Sequence, residues 1–116
     1  MELSPEQVSS NWERHLKIVD HFISSPRKEQ VLEVLKSLED KIVLAPASGR
    51  SWYHNAFAGG YVDHVNRVVQ CAIKVKKLWE DMGSTIDFTE EELVFAALFH
   101  DFGKIGDGER EGYIPE

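Results

Sequence analysis

The sequence feature that most constrains the fold is an unbroken apolar segment late in the chain. Residues 93–99 are all apolar, and they follow Thr89 and Glu92, which have the spacing of a helix-capping box. A helix that is apolar on nearly every side has no face suited to water. We therefore expect a helix over residues 90–102 that runs through the middle of a domain, with amphipathic helices packed around it.

Three further segments carry apolar residues three and four positions apart, which is the period of an amphipathic helix. They cover residues 5–23, 26–44 and 61–83, and a Ser-Pro dipeptide, a helix start signal, opens each of the first two. No segment alternates polar and apolar residues over the length of a strand. We predict an all-α fold with a helical pair over residues 1–44 and a second part over residues 45–116, together forming one compact domain.

Charge and composition narrow the classes of function. Twenty acidic residues against 13 Lys and Arg give a net charge of −7, which repels phosphate backbones at long range. Any phosphate must then be held locally, by a metal ion or a few cations. No stretch approaches the ~20 apolar residues of a membrane span, and no signal peptide is evident. The single cysteine, Cys71, cannot form an intramolecular disulfide. We expect a cytoplasmic protein without a membrane partner.

The candidates for chemistry are polar residues that the helical period turns inward. His64 shares a stripe with Val68, and His100 lies on the stripe of the apolar helix, directly before Asp101. Burying a carboxylate beside an imidazole costs several kcal/mol unless a cation or strong hydrogen bonds offset it. Imidazole and carboxylate suit Mn, Fe, Co, Ni, Zn or Mg, whereas a thiolate zinc site would need a cysteine cluster. We expect these three residues to hold a divalent metal ion.

Each of these residues also has a plainer structural interpretation. His64 alone could be a hydrogen-bonded core histidine, and Asp101 could make only local backbone hydrogen bonds in a turn. His15 and His21, on the first helix, have no nearby ligand partners and are expected at the surface or its boundary. The three tryptophans are expected to be packing aromatics.

Two blocks of the sequence together resemble the HD-domain metal-dependent phosphohydrolases. Residues 54–64 read His-Asn-Ala-Phe-Ala-Gly-Gly-Tyr-Val-Asp-His. They are similar to a pattern in which an upstream His is followed by Gly-Gly-x(3)-His, found in a subgroup that includes exoribonuclease-like and phage-encoded members. Residues 96–104 read Ala-Ala-Leu-Phe-His-Asp-Phe-Gly-Lys, which is similar to the family's apolar helix ending in His-Asp-x-Gly-Lys. Each block is moderately specific, and their joint presence in the right order favours membership. The similarity covers residues 52–104.

The resemblance implies an HD-domain-like helical bundle in which His64, His100 and Asp101 are metal ligands. It implies that His54 lies at the rim of the site, as a catalytic or substrate-binding group that holds a second metal ion or a substrate phosphate. It also implies that Lys104 faces the phosphate as a catalytic or binding group. A favourable cation at a helix C-terminus is an equally good explanation of Lys104.

The family's last metal-ligating Asp has no counterpart in this sequence. In the family it arrives on a later helix, whereas Asp107 and Glu109 follow Asp101 too soon, in a glycine-rich loop. We therefore expect the front part of an HD domain, incomplete at its C-terminus. A fragment, a truncated product and a chain that takes its remaining ligand from another chain, as in a homo-oligomer, all stay open.

The leading hypothesis is a metal-dependent phosphohydrolase that acts on a small nucleotide or a nucleic-acid end. Arg50 and Arg67 are weaker candidates for contacts with the substrate phosphate, and each is otherwise a surface charge. A second hypothesis is a non-catalytic HD-like module that binds a nucleotide or a protein partner. A third is a di-iron oxygenase. One scaffold hosts several chemistries, so the fold alone does not choose among them.

Overall fold

The computed structural model describes residues 2–46 and 57–105, except for the side chain of Lys104. This part of the chain forms helices and no strand, so the all-α prediction is confirmed. The helices are α1 (Pro5–Phe22), α2 (Arg27–Ser37), α3 (Glu39–Leu44), α4 (Gly60–Asp81) and α5 (Glu90–Phe99), followed by a 3-10 helix (Phe102–Ile105). None of the helices in the described ranges is both long enough and apolar enough to cross a membrane.

The N-terminal region contains three helices where the sequence predicts a pair. α1 starts as expected, because the Ser4 hydroxyl accepts a hydrogen bond from the backbone N–H of Gln7 and the Gln7 side chain accepts one from Ser4. The second predicted helix is split at Leu38, which has φ −112° and ψ 14°. The Ser37 hydroxyl donates a hydrogen bond to the carbonyl of Val34, at 2.7 Å. Such a side-chain bond offers the backbone an alternative to continuing the helix.

All five α-helices contribute side chains to one buried cluster, and burying each large apolar side chain contributes about 1.5–3 kcal/mol. Its members are Trp12, Val19, Ile23, Val31, Leu35, Ile42, Tyr61, Val62, Val65, Val69, Val94, Ala97, Leu98 and Ile105. The cluster is therefore the main source of stability of the described fold.

The central helix is α4 and not α5. α4 packs against α1, α3 and α5, whereas α5 packs mainly against α4. α5 buries Val94, Ala97 and Leu98 but leaves Ala96 exposed. The expectation of a central apolar helix is thus wrong for the described residues. A continuous apolar run carries no periodicity, so the sequence could not distinguish burial on one side from burial on all sides.

The tryptophans differ in their surroundings. Trp12 is buried, as expected of a packing aromatic, and its indole N–H donates to the carboxylate of Glu39, at 3.0 Å. Trp79, near the end of α4, is instead more than half exposed, so its predicted packing role is wrong. Trp52 lies outside the described residues.

The start of α4 is tied to the end of α3 by backbone hydrogen bonds. The N–H of Gly59 donates to the carbonyl of Leu44, and that of Tyr61 donates to the carbonyl of Ala45. Gly59 has a φ of 82°, and a Cβ added there would lie 2.9 Å from Cγ2 of Val8 on α1. Only a residue without a Cβ fits both this backbone conformation and this close approach, so Gly59 fixes where α4 begins relative to α1 and α3.

Candidate metal centre

The His-Asp pair occupies the junction between α5 and the 3-10 helix. α5 ends at Phe99, His100 is the C-cap residue, and Asp101 follows in a turn. The rings of Phe99 and Phe102 pack edge to face across this turn with centroids 5.1 Å apart, and Ile105 is buried in the core. The apolar residues on both sides of the pair therefore anchor it, while its own polar side chains stay partly exposed.

His64 approaches this pair from α4, one turn after the start of that helix. Its Nε2 lies 3.6 Å from Oδ2 of Asp101, and Nε2 of His100 lies 3.0 Å from the same oxygen. The two imidazole rings are 5.7 Å apart between centroids. Each of the three residues offers one ligand atom, and these atoms all lie within 4.8 Å of one another. The three residues that the sequence selects thus converge from two helices and a turn.

A hydrogen bond to the backbone determines how His100 presents its ring. Nδ1 of His100 lies 2.7 Å from the carbonyl oxygen of Ala97. A carbonyl oxygen only accepts, so Nδ1 must carry a proton. In the neutral ring, Nε2 then points a lone pair at the carboxylate oxygen of Asp101, 3.0 Å away. Two lone pairs at this distance repel each other unless a positive charge lies between them, either a proton on Nε2 or a metal ion.

The donor set and its spacing fit a divalent ion. Two ligand atoms that each lie about 2.1 Å from one ion are about 3.0 Å apart at a right angle and about 3.6 Å apart at a wider angle near 118°. These separations match the distances from Asp101 to His100 and to His64. A backbone carbonyl that fixes the far nitrogen of a histidine is also a common outer contact of metal ligands. Within residues 2–46 and 57–105, this is the single group of three such ligands.

The other predicted site residues are not part of this cluster or lie outside the described residues. Arg67 is exposed on α4, and its Nε donates to Oδ2 of Asp63 at 3.1 Å. Arg50 and His54 fall outside the described residues, as does the side chain of Lys104. Their roles in catalysis or phosphate binding stay predictions.

Tyr61 is a polar neighbour of the cluster that the sequence did not single out. It lies three residues before His64 on α4 and is buried, and its hydroxyl has no hydrogen-bond partner among the described residues. Burial and the nearby negative charge of Asp101 both raise the pKa of Tyr61. The hydroxyl therefore stays neutral at ordinary pH. The spacing of three residues from His64 was the available signal, but a tyrosine on an apolar stripe is otherwise a normal core residue.

His15 was expected at the surface or its boundary, and that expectation is wrong. Its ring is buried between α1 and α4, stacked on Trp12. The amide nitrogen of Asn66 donates to the carbonyl of Asn11, so its oxygen accepts from Nδ1 of His15, at 2.8 Å. Burial lowers the pKa of His15, and the hydrogen bond to Asn66 offsets part of this effect. The spacing of His15 from Trp12 could have shown that it lies on the apolar stripe.

Comparisons with known proteins found no relative. No family model, curated protein or solved structure matches the chain. The HD-domain resemblance therefore depends on the two sequence blocks, and the cluster of His64, His100 and Asp101 is the geometric observation that goes with them.

Proposed function

We propose that the protein is a metal-dependent phosphohydrolase of the HD type that acts on a small nucleotide or a nucleic-acid end. The convergence of His64, His100 and Asp101 is the observation that carries the proposal. Two imidazole nitrogens and a carboxylate oxygen gathered within a few ångströms are a donor set that a divalent ion would bind. A hydrolytic site also needs access for water and substrate, and the side chains of this cluster are partly exposed.

The proposed ligands are Nε2 of His64, Nε2 of His100 and a carboxylate oxygen of Asp101, and the ion is Mn, Fe, Ni, Co, Mg or Zn. When bound, such an ion activates water near neutral pH and offsets charge on the phosphoryl group. The chain itself contributes orientation. The carbonyl of Ala97 fixes the ring of His100, and the packed α4 holds the ring of His64 opposite Asp101.

Binding of the substrate phosphate is assigned to the cationic candidates from the sequence. In this proposal His54 and Lys104 offset phosphate charge close to the reacting group, and Arg67 and Arg50 bind more distant phosphates. Because the chain carries a net charge of −7, attraction of a long polyanion from a distance is unfavourable. A small nucleotide or a single strand end, held by local contacts, suits this charge better.

A non-catalytic HD-like module that binds a nucleotide or a partner is the second candidate. One observation supports it: the described residues bring together three possible metal ligands, which can hold an ion or a nucleotide phosphate whether or not a reaction follows. Such a module would bind a metal ion or a nucleotide without turnover.

Metal binding and activity should be measured on the same preparations. Equilibrium dialysis against Mn²⁺ gives the stoichiometry, and phosphate release from a panel of nucleotides gives the activity. We expect His100→Ala to abolish both, and His21→Ala, which alters an exposed histidine on α1, to preserve both. Metal binding without phosphate release would support the non-catalytic module over the enzyme. No Mn²⁺ binding, or equal binding by His100→Ala, would overturn the metal site.

The proposal includes the cytoplasm as the location and a homo-oligomer as a state of the protein. Cys71 is a free, exposed thiol, which suits a reducing compartment. The exposed apolar side chains near the end of α4 support self-association.

A further inference from the structure

The second half of α4 carries large apolar side chains that the described fold leaves exposed. Val75, Leu78, Trp79 and Met82 have exposed fractions of 40%, 55%, 54% and 74%, and Phe88 in the following loop adds 40%. Val75, Leu78, Trp79 and the C-cap residue Met82 are three, one and three positions apart, so they form one continuous ridge, here called the α4 stripe. A contiguous exposed apolar surface of this kind marks an interaction site.

The α4 stripe has a groove on either side. One groove, of about 380 Å³, is lined almost entirely by apolar atoms and includes Trp79 and Phe88. The other, of about 350 Å³, includes Leu78 and Lys74. Val75 borders both. A ridge flanked by two grooves is the shape that packs against a second helix, since the ridge of each helix fills a groove of the other.

Charges beside the α4 stripe indicate which helix fits. Lys74 and Asp81 lie on one flank, because each comes directly before a residue of the stripe. Lys76 and Glu80 lie on the other flank, because each comes directly after a residue of the stripe. On both flanks the lysine comes before Leu78 and the acid after it. Two copies of this helix in antiparallel register therefore place Lys74 of each copy beside Asp81 of the other, whereas parallel copies place Lys74 beside Lys76. On the other flank Lys76 already pairs with Glu80 of its own helix, at 3.0 Å, so Lys74 and Asp81 decide the orientation.

We propose that the α4 stripe is the interface of a homodimer, in which a second copy of this chain packs its own stripe antiparallel across a two-fold axis near Leu78. Such an interface is self-complementary, as a two-fold contact requires. It places Val75 of each copy toward Trp79 and Met82 of the other. The proposal does not depend on the proposed metal site or on any activity.

The area of the stripe predicts the strength of this dimer. With about 150–250 Å² for each large side chain, the exposed parts of the stripe and Phe88 amount to roughly 500 Å² per copy. The dimer then buries about 1,000 Å² in total, which is at the lower end of specific interfaces. Interfaces of this size are typical of weak, transient complexes, so we expect a dissociation constant of about 1–100 µM.

Sedimentation equilibrium on the full chain, from about 1 to 500 µM protein at 0.15 M salt, tests the interface. We expect a monomer–dimer equilibrium that Leu78→Glu weakens at least 100-fold. Leu44→Glu is the matched control, because Leu44 is 62% exposed on α3, away from the stripe, and it should leave the equilibrium unchanged. A monomer at all concentrations, or equal weakening by both variants, would overturn the proposal.

Charge reversal tests the antiparallel orientation and the identity of the partner. Lys74→Glu and Asp81→Lys should each weaken the dimer about tenfold, because each creates two like-charge contacts across the two-fold axis. The double variant exchanges both signs and should restore dimerisation to within about threefold. If neither single variant weakened the dimer, the antiparallel register would be excluded. If the double variant dimerised no more tightly than the single variants, pairing between identical stripes would be excluded. Circular dichroism of each variant checks that the monomer is folded.

Discussion

Replacing Gly59 with alanine tests how rigidly the start of α4 is held. Gly59 has a φ of +82°, and an added Cβ would lie 2.9 Å from Cγ2 of Val8 and 3.4 Å from Cδ1 of Leu3. The substitution thus combines two penalties, backbone strain in the left-handed region and overlap with α1. Gly83 separates them, because its φ is +92° and nothing lies within 4 Å of its Cβ position.

The two penalties have different sizes. A non-glycine residue in the left-handed region costs about 1–2 kcal/mol, and the reduced freedom of the unfolded chain returns about 0.4–1 kcal/mol. Gly83→Ala should therefore lower the free energy of unfolding by about 1 kcal/mol. Gly59→Ala adds an overlap of about 1–3 kcal/mol, because the β-branched side chain of Val8 has few rotamers into which it can move. Its total cost should be about 2–4 kcal/mol.

Urea unfolding followed by circular dichroism measures these differences. The set comprises the two glycine variants, Val8→Ala, and the double variant Gly59→Ala/Val8→Ala. Because Val8→Ala removes the overlapping methyl group, the two substitutions should couple by about 1–2 kcal/mol in a double-mutant cycle. Equal losses for Gly59→Ala and Gly83→Ala, together with no coupling to Val8, would refute the idea that close approach of α1 fixes the start of α4.

Two further predictions concern buried polar groups. Burial lowers the pKa of His15 from 6.5, so as the pH falls the unfolded chain binds a proton before the folded chain does. The free energy of unfolding should therefore decrease below pH 6.5, by at most about 1.4 kcal/mol per pH unit. Urea titrations between about pH 7.5 and 5.5 should show this decrease relative to His15→Gln, and a pH-independent difference would contradict it. Tyr61→Phe should raise the free energy of unfolding by about 1 kcal/mol, since it removes a buried hydroxyl without a partner in the described structure. If Tyr61→Phe instead lowered the free energy of unfolding by a similar amount in the same titration, the hydroxyl would have a hydrogen-bond partner.

The helices were predictable where local chemistry determines them. The starts of α1 and α5 follow from capping boxes, and in each the cap and its partner lie three residues apart in the sequence. The break between α2 and α3 was not predictable, because it goes with a hydrogen bond from the Ser37 hydroxyl to the backbone carbonyl of Val34. In α1, Leu16 lies on the helical period of the apolar residues and is only partly buried, whereas its neighbour His15 is fully buried. The choice between neighbouring residues depends on a partner, Asn66, that lies 51 positions away.

The candidate site was predictable in part for a related reason. His100 and Asp101 are adjacent, so their closeness needs no tertiary information. His64 is selected by the helical period that it shares with Val68. The distances to one carboxylate oxygen and the hydrogen bond that fixes His100 depend on how α4 packs against α5. The buried hydroxyl of Tyr61 also went unnoticed, because a sequence does not state which polar atoms lack partners.

The proposed metal site and the proposed dimer lie on one helix but should be separable. His64 and Leu78 are 14 residues apart on α4, which corresponds to about 21 Å along the helix axis. At this distance in water with salt, a charge introduced at one position is screened from the other. Leu78→Glu should therefore leave Mn²⁺ binding unchanged, and His100→Ala should leave the dimer unchanged. If either variant altered both properties, α4 would have to transmit a structural change from the stripe to the site, and the two proposals would describe one coupled assembly.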